Sequence, residues 1–151
     1  SYKVLLEYPG FGPYTARSVA SIAFDEPVGV LDGNVIRVLT RFYNLDTAWW
    51  TSLGRKQLQE LSDQCVKDFS SRIINQAMME LGATLCTPKN PKCLICPIAN
   101  QCMALKNQSF DQLPLKKPKK QKKKRETYFC LISFSSLIFA FKPSFLLILD
   151  F

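Results

Sequence analysis

Four cysteines fall within seventeen residues: Cys86, Cys93, Cys96 and Cys102, spaced C-x6-C-x2-C-x5-C. Pro88, Pro91 and Pro97 sit among them, so the segment is no regular helix or strand but a loop organised around its sulfurs. Thiols this dense form disulfides, bind zinc or hold an iron–sulfur cluster, and an intracellular setting disfavours the first. Zinc sites usually pair their ligands as two short-spaced couples, whereas only Cys93 and Cys96 form such a couple here. An all-thiolate cluster tolerates the wider loops, so the spacing favours iron–sulfur while zinc and disulfides stay open. Cys65 lies in a helical pattern and Cys130 in an apolar tail, and both read as small buried hydrophobes.

The chain contains no histidine, which removes Ser-His-Asp triads, histidine bases and histidine-ligated zinc from what it can build alone. Its chemistry must come from carboxylates, thiolates, hydroxyls, amides or a cofactor. At 151 residues and 47% apolar composition the chain suits one modest domain or part of a larger one. It starts at Ser1 without an initiator Met, shows no secretory signal pattern, and runs at once into a structured motif, as a start inside a longer protein would.

The net charge of +8 is concentrated rather than spread. Eight basic residues and no acid lie between Lys116 and Arg125, and the rest of the chain balances twelve basic against twelve acidic residues. Such a run is either a solvated linker or a contact for phosphates or another anionic surface. Residues 1–83 carry apolar positions at three and four spacing, in VASIAF, NVIRVLTRFY, LQELSDQCV and IINQAMMEL, and predict helices. The cysteine loop at 84–105, a basic linker at 106–126 and an apolar tail at 127–151 follow. The tail's run from Phe129 to Phe141 is thirteen residues, short of the roughly twenty that a membrane span needs.

Two further segments carry chemistry. In Tyr8-Pro9-Gly10-Phe11-Gly12-Pro13-Tyr14-Thr15-Ala16 two glycines bracket one apolar residue at the start of a helical pattern. That permits a tight turn with outward amides, either a plain helix connection or a phosphate site indifferent to base sequence. In Val30-Leu31-Asp32-Gly33-Asn34-Val35 the Asp precedes a helical pattern and reads as its N-cap, a role compatible with catalysis.

The hairpin PGFGPYTA, the segment VLDGNVIRVL, the stretch NQAMMELGATLCTPKNPKC and the cysteine spacing together resemble the helix-hairpin-helix DNA glycosylases that carry a [4Fe-4S] cluster. Within that superfamily the match is to the MutY-type adenine glycosylases, and it covers residues 1 to about 126. The resemblance implies an all-α fold and a monomer acting on double-stranded DNA with A·8-oxoguanine or A·G mispairs. It implies a bacterial cytoplasm, or the nucleus or mitochondrion of a eukaryote. Cys86, Cys93, Cys96 and Cys102 would ligate the cluster, and Asp32 would stabilise the oxocarbenium-like sugar as adenine leaves, with Asn34 orienting Asp32 or the water. Gly10, Phe11, Gly12 and Thr15 would hold a backbone phosphate beside the extruded nucleotide, and Lys89 and Lys92 on the cluster loop would face DNA. Tyr14 stands where endonuclease III-like relatives place a Schiff-base Lys, which implies a monofunctional enzyme that leaves an abasic site.

The family also carries a catalytic Glu upstream of the hairpin, with no counterpart in a chain starting at Ser1, so the fragment alone is expected to be inactive. Tyr128 to Ile132 resembles the first strand of the family's Nudix-like domain. It would lack partner strands here, and the sequence after about residue 133 does not look like that domain. A monofunctional thymine glycosylase for G·T mismatches and a non-catalytic iron–sulfur DNA-binding module are the alternatives.

Overall fold

A computed structural model describes residues 1–118 in full and the backbone of 130–134 and 137–141. The first unit, Ser1–Lys117, holds six helices: α1 (Tyr2–Leu5), α2 (Pro13–Phe24), α3 (Gly33–Phe42), α4 (Ser52–Val66), α5 (Ser71–Thr84) and α6 (Met103–Lys106). Single turns of 3-10 helix at Cys93–Ile95 and Ala99–Gln101 shape the cysteine loop. Each run with helical spacing lies in one of the helices α2 to α5, so the unit is all-α. Among the described residues no helix is long and apolar enough to cross a membrane.

Local chemistry sets the helix ends. Pro13 at the first position of α2 supplies a preset φ where its missing N–H costs nothing. Thr51 caps α4 by accepting from the Gly54 amide at 3.1 Å. The first turn of α5 is capped from a distance: Asp25, left-handed at φ 53° past the end of α2, accepts from the Arg72 amide at 2.9 Å and the Ser71 hydroxyl at 3.0 Å.

Helix α3 is the centre of the unit. Every residue from Val35 to Arg41 is buried, and Leu31, Val35, Ile36, Leu39 and Leu58 form a core with Leu61, Met78 and Met79 packed against it. The sequence pattern predicts an ordinary amphipathic helix there, yet Arg37 and Arg41 are also buried, at 9% and 3% exposure. They are tolerated because each guanidinium is saturated by carbonyl oxygens of other segments, as a buried charge requires.

The strand-like segment Val28–Leu31 leads into α3 while buried outside any sheet. Its backbone polar groups therefore need side-chain partners. Asn75 supplies two, accepting from the Val30 amide and donating to the Val28 carbonyl, both at 2.9 Å. Ser62 donates to the Val30 carbonyl at 3.0 Å, and Asp63 accepts from the Gly29 amide at 2.7 Å. These bonds from α4 and α5 fix where Asp32 emerges.

In the second unit, Pro118–Phe151, β1 (Cys130–Phe134) pairs antiparallel with β2 (Leu137–Phe141), with Cys130 opposite Phe141 and Phe134 opposite Leu137. This corrects the expectation that a strand around Tyr128 to Ile132 has no partner. The apolar sequence supplies its own antiparallel second strand. Tyr128 itself, the Cys130 side chain and the basic residues from Lys119 to Arg125 lie outside the described residues.

Candidate functional site

The hairpin between α1 and α2 is closed by the Phe11 amide donating to the Tyr8 carbonyl at 3.3 Å. Gly10 takes φ +90°, a conformation that L side chains resist, whereas a Cβ on Gly12 would meet open space. Gly12 is the N-cap of α2 and offers no side-chain cap. Consequently the amides of Gly10, Gly12, Tyr14 and Thr15 donate to no group among the described residues, and the helix N-terminus faces outward with its positive end open. Gly12 and Tyr14 border a groove with Leu31, Arg55 and Lys56. Arg17 lines it too but is committed, donating to Asp63 at 2.6 Å and lying 4.6 Å over the Tyr2 ring.

Asp32 follows Leu31 directly. One carboxylate oxygen accepts from the Val35 amide at 2.7 Å, the N-cap bond, and the other accepts from the Asn34 side-chain amide at 3.0 Å. Asn34 is itself held, since Arg37 donates to its carbonyl oxygen at 2.8 Å. Arg37 is anchored by donating to the carbonyls of Gly82 and Cys86, both at 2.7 Å. Burial lowers the Arg37 pKa, Cys86 opposes that, Arg41 adds to it and Asp32 opposes it again. Asp32 and Asn34 open on a cleft beside α5, shared with Gln76, Met79 and Glu80. The carboxylate is thus fixed in orientation by two donors while one side stays accessible.

All four loop cysteines line one cavity, walled by Val38, Phe42, Leu81, Leu85, Leu105 and Phe110. None of the four is paired in a disulfide. Four thiols lining one largely apolar cavity make an all-thiolate donor set that suits an iron–sulfur cluster. Arg41 reaches the cavity from α3, with a guanidinium nitrogen 3.5 Å from Cys86 Sγ, and the Cys102 sulfur lies 3.6 Å from the Arg41 carbonyl. Burial pushes the Cys93 thiol up, the sulfurs of Cys86, Cys102 and Cys96 add to the push, and Arg41 opposes it. Cys65 stands apart, half-buried against the core with its thiol likewise raised by burial.

The sequence-derived positions therefore gather into three places: the hairpin groove, the Asp32 cleft and the sulfur cavity. Lys89 and Lys92 are both exposed but not together, since Lys92 sits at the rim of the sulfur cavity and Lys89 in a separate groove. Arg37, Arg41, Arg55, Lys56 and Glu80 were not singled out from the sequence. Only the spacing of Arg37 and Arg41 in an otherwise apolar helix hints at the buried pair.

Residues 86–102 match the family described as the iron–sulfur binding domain of endonuclease III. The adenine DNA glycosylase of Schizosaccharomyces pombe is 43% identical over 101 residues, 67% of this chain and 22% of that protein. The Rattus norvegicus protein of the same name is 48% identical over 96 residues, 64% of this chain and 19% of that protein. The chain thus spans about a fifth of the length of these relatives. A solved thermostable thymine-DNA glycosylase superposes with a TM-score of 0.63 at 29% identity, over 71% of this chain and 49% of that one. With an open glycine hairpin, an Asp that caps α3 and a four-thiol cavity walled in part by that same helix, the chain belongs to the helix-hairpin-helix iron–sulfur DNA glycosylases, in their MutY-type adenine glycosylase branch.

Proposed function

We propose that the full-length protein is a monomeric DNA repair glycosylase that hydrolyses the N-glycosidic bond of adenine paired with 8-oxoguanine or guanine. It would work in whichever compartment holds the DNA, bacterial cytoplasm or eukaryotic nucleus or mitochondrion. The observation that carries this is the Asp32 carboxylate, held by the Val35 amide and Asn34 and facing an open cleft, directly after Leu31, which borders the hairpin groove.

A base must leave the stack before its glycosidic bond is accessible. The amides of Gly10, Gly12, Tyr14 and Thr15 bind the phosphate beside that nucleotide, and Arg55 and Lys56 extend the contact along the groove. As the C–N bond breaks, positive charge develops on the sugar, and Asp32 faces it with its lone pairs already oriented. Asn34 keeps Asp32 in that orientation and Arg37 keeps Asn34 in place. Cys86, Cys93, Cys96 and Cys102 would hold the [4Fe-4S] cluster, and their ligation would order the loop that carries Lys89 and Lys92 toward DNA. Tyr14 has no amine, so no imine forms and the strand stays intact. Protonation of the leaving adenine is assigned in this family to a Glu upstream of the hairpin, so the test uses the full-length protein.

The test is base release by that protein from otherwise identical duplexes holding A·8-oxoguanine, A·G or T·G. The expected outcome is adenine release from the first two and an alkali-labile, not pre-cut, strand. Release of thymine from T·G alone would select the thymine glycosylase reading, and tight binding without release would select the non-catalytic module.

A further inference from the structure

The segment after the cluster loop is fastened to the body rather than merely leaving it. Arg41 donates through Nε to the carbonyls of Phe110 at 2.9 Å and Leu113 at 3.0 Å, and the Trp49 indole donates to the Leu115 carbonyl at 2.9 Å. Leu113 is buried at 6% exposure, and Ser109 bonds Asn44. Ordering a linker costs backbone entropy, so these anchors are needed to hold it. The last anchored residue is Leu115, and the next is Lys116, the first of the eight basic residues that end at Arg125. The anchors therefore decide where the charge begins. Lys116 borders a groove with Pro88, Lys89 and Asn90 of the cluster loop and with Asp111. Among the described residues neither Lys89 nor Lys116 is ion-paired, with Asp111 or any other acid.

We propose that this anchored strap makes Lys116 and Lys117, together with Lys89, a phosphate-contacting edge of the DNA surface. The inference rests on the DNA-repair reading above. Two features favour DNA over an anionic membrane as the partner. Lys89 of the cluster loop, which the proposed function turns toward DNA, lines one groove with Lys116, and the apolar run after the basic residues is too short to span a bilayer. The anchors raise the effective concentration of Lys116 and Lys117 near the phosphates, a gain that falls steeply once the tether is lengthened.

The test is binding of the full-length, cluster-loaded protein to an undamaged duplex by fluorescence anisotropy across a salt series, with cluster absorbance as the check on folding. Each phosphate contact contributes about 0.9 to the slope of log K against log salt, so K116Q/K117Q should flatten the slope by about two. Inserting ten Gly/Ser residues between Leu115 and Lys116 keeps every charge and should weaken binding several-fold. An unchanged slope in K116Q/K117Q, or undiminished affinity after the insertion, overturns the positioned contact and leaves base release as evidence for the glycosylase. Failure of the wild-type protein to bind duplex DNA at all overturns the glycosylase reading with it. Salt-sensitive binding to phosphatidylserine vesicles that K116Q/K117Q abolishes, with the DNA slope unmoved, assigns the run to membranes instead.

Discussion

Helices α3 and α5 approach closely where Gly82 faces Asn34, and Gly82→Ala probes that approach directly. A Cβ there would stand 2.7 Å from Asn34 Cβ, 3.0 Å from its carbonyl oxygen and 3.1 Å from its carbonyl carbon. Carbon atoms pack at about 3.5–4.0 Å, so the helices must separate by about 1 Å, and none of the three atoms is a flexible side-chain end that can swing aside. Overpacking of this kind costs about 1–3 kcal/mol, offset by up to about 1 kcal/mol from the better helix propensity of Ala. A net loss of about 1–2 kcal/mol should appear as a lower urea midpoint with unchanged slope. Gly33→Ala is the matched control, because a Cβ there meets nothing within 4 Å, and it should be neutral or slightly stabilising. Because the displaced residue orients Asp32, Gly82→Ala should also slow base release by about a hundredfold in the full-length protein, the scale expected for a 1 Å misplacement. Equal urea midpoints for Gly82→Ala and wild type would refute the close approach.

The Arg72 amide and then the Ser70 and Ser71 hydroxyls hold the Asp25 carboxyl below its ordinary 3.8, so its stabilising contribution is full above that value and fades as pH falls through the lower folded one. Asp25→Asn should therefore lower stability at neutral pH and flatten the acid limb of a pH-dependent melt, and an unchanged acid limb would count against the cap. Anaerobically purified protein should be brown with about four irons per chain, and colourless protein with stoichiometric zinc would contradict the cluster. Arg41→Met leaves the carbonyls of Phe110, Leu113, Thr87 and Pro88 without their donor, at about 1–3 kcal/mol for each that stays buried and unpaired, and should shed iron far faster than wild type under chelation. Borohydride should trap no protein–DNA adduct, and trapping that is lost in Tyr14→Phe would overturn the monofunctional assignment.

The parts of this molecule legible in its sequence are those encoded over short stretches. The hairpin glycines, the Asp32 cap and the cysteine spacing each announce themselves within seventeen residues. Helices α2 to α5 follow from apolar periodicity because their buried faces repeat regularly. What stayed hidden depends on partners far along the chain. Arg37 and Arg41 look like the polar face of α3 until carbonyls from residues 82–113 are seen to surround them. The buried segment Val28–Leu31 carries no sheet signal because Asn75, Ser62 and Asp63 do the work of neighbouring strands. The anchoring of Leu115 by Trp49 is likewise invisible at a separation of 66 residues.

Single-turnover base release with saturating full-length protein, comparing wild type with Asp32→Asn on an A·8-oxoguanine duplex, tests the central claim most directly. The substitution keeps the shape and the N-cap oxygen but removes the charge that faces the developing oxocarbenium ion. Release should fall by several orders of magnitude while duplex affinity stays within a few-fold, because the missing interaction exists only in the transition state. Undiminished release in Asp32→Asn would contradict the account and remove Asp32 from its role.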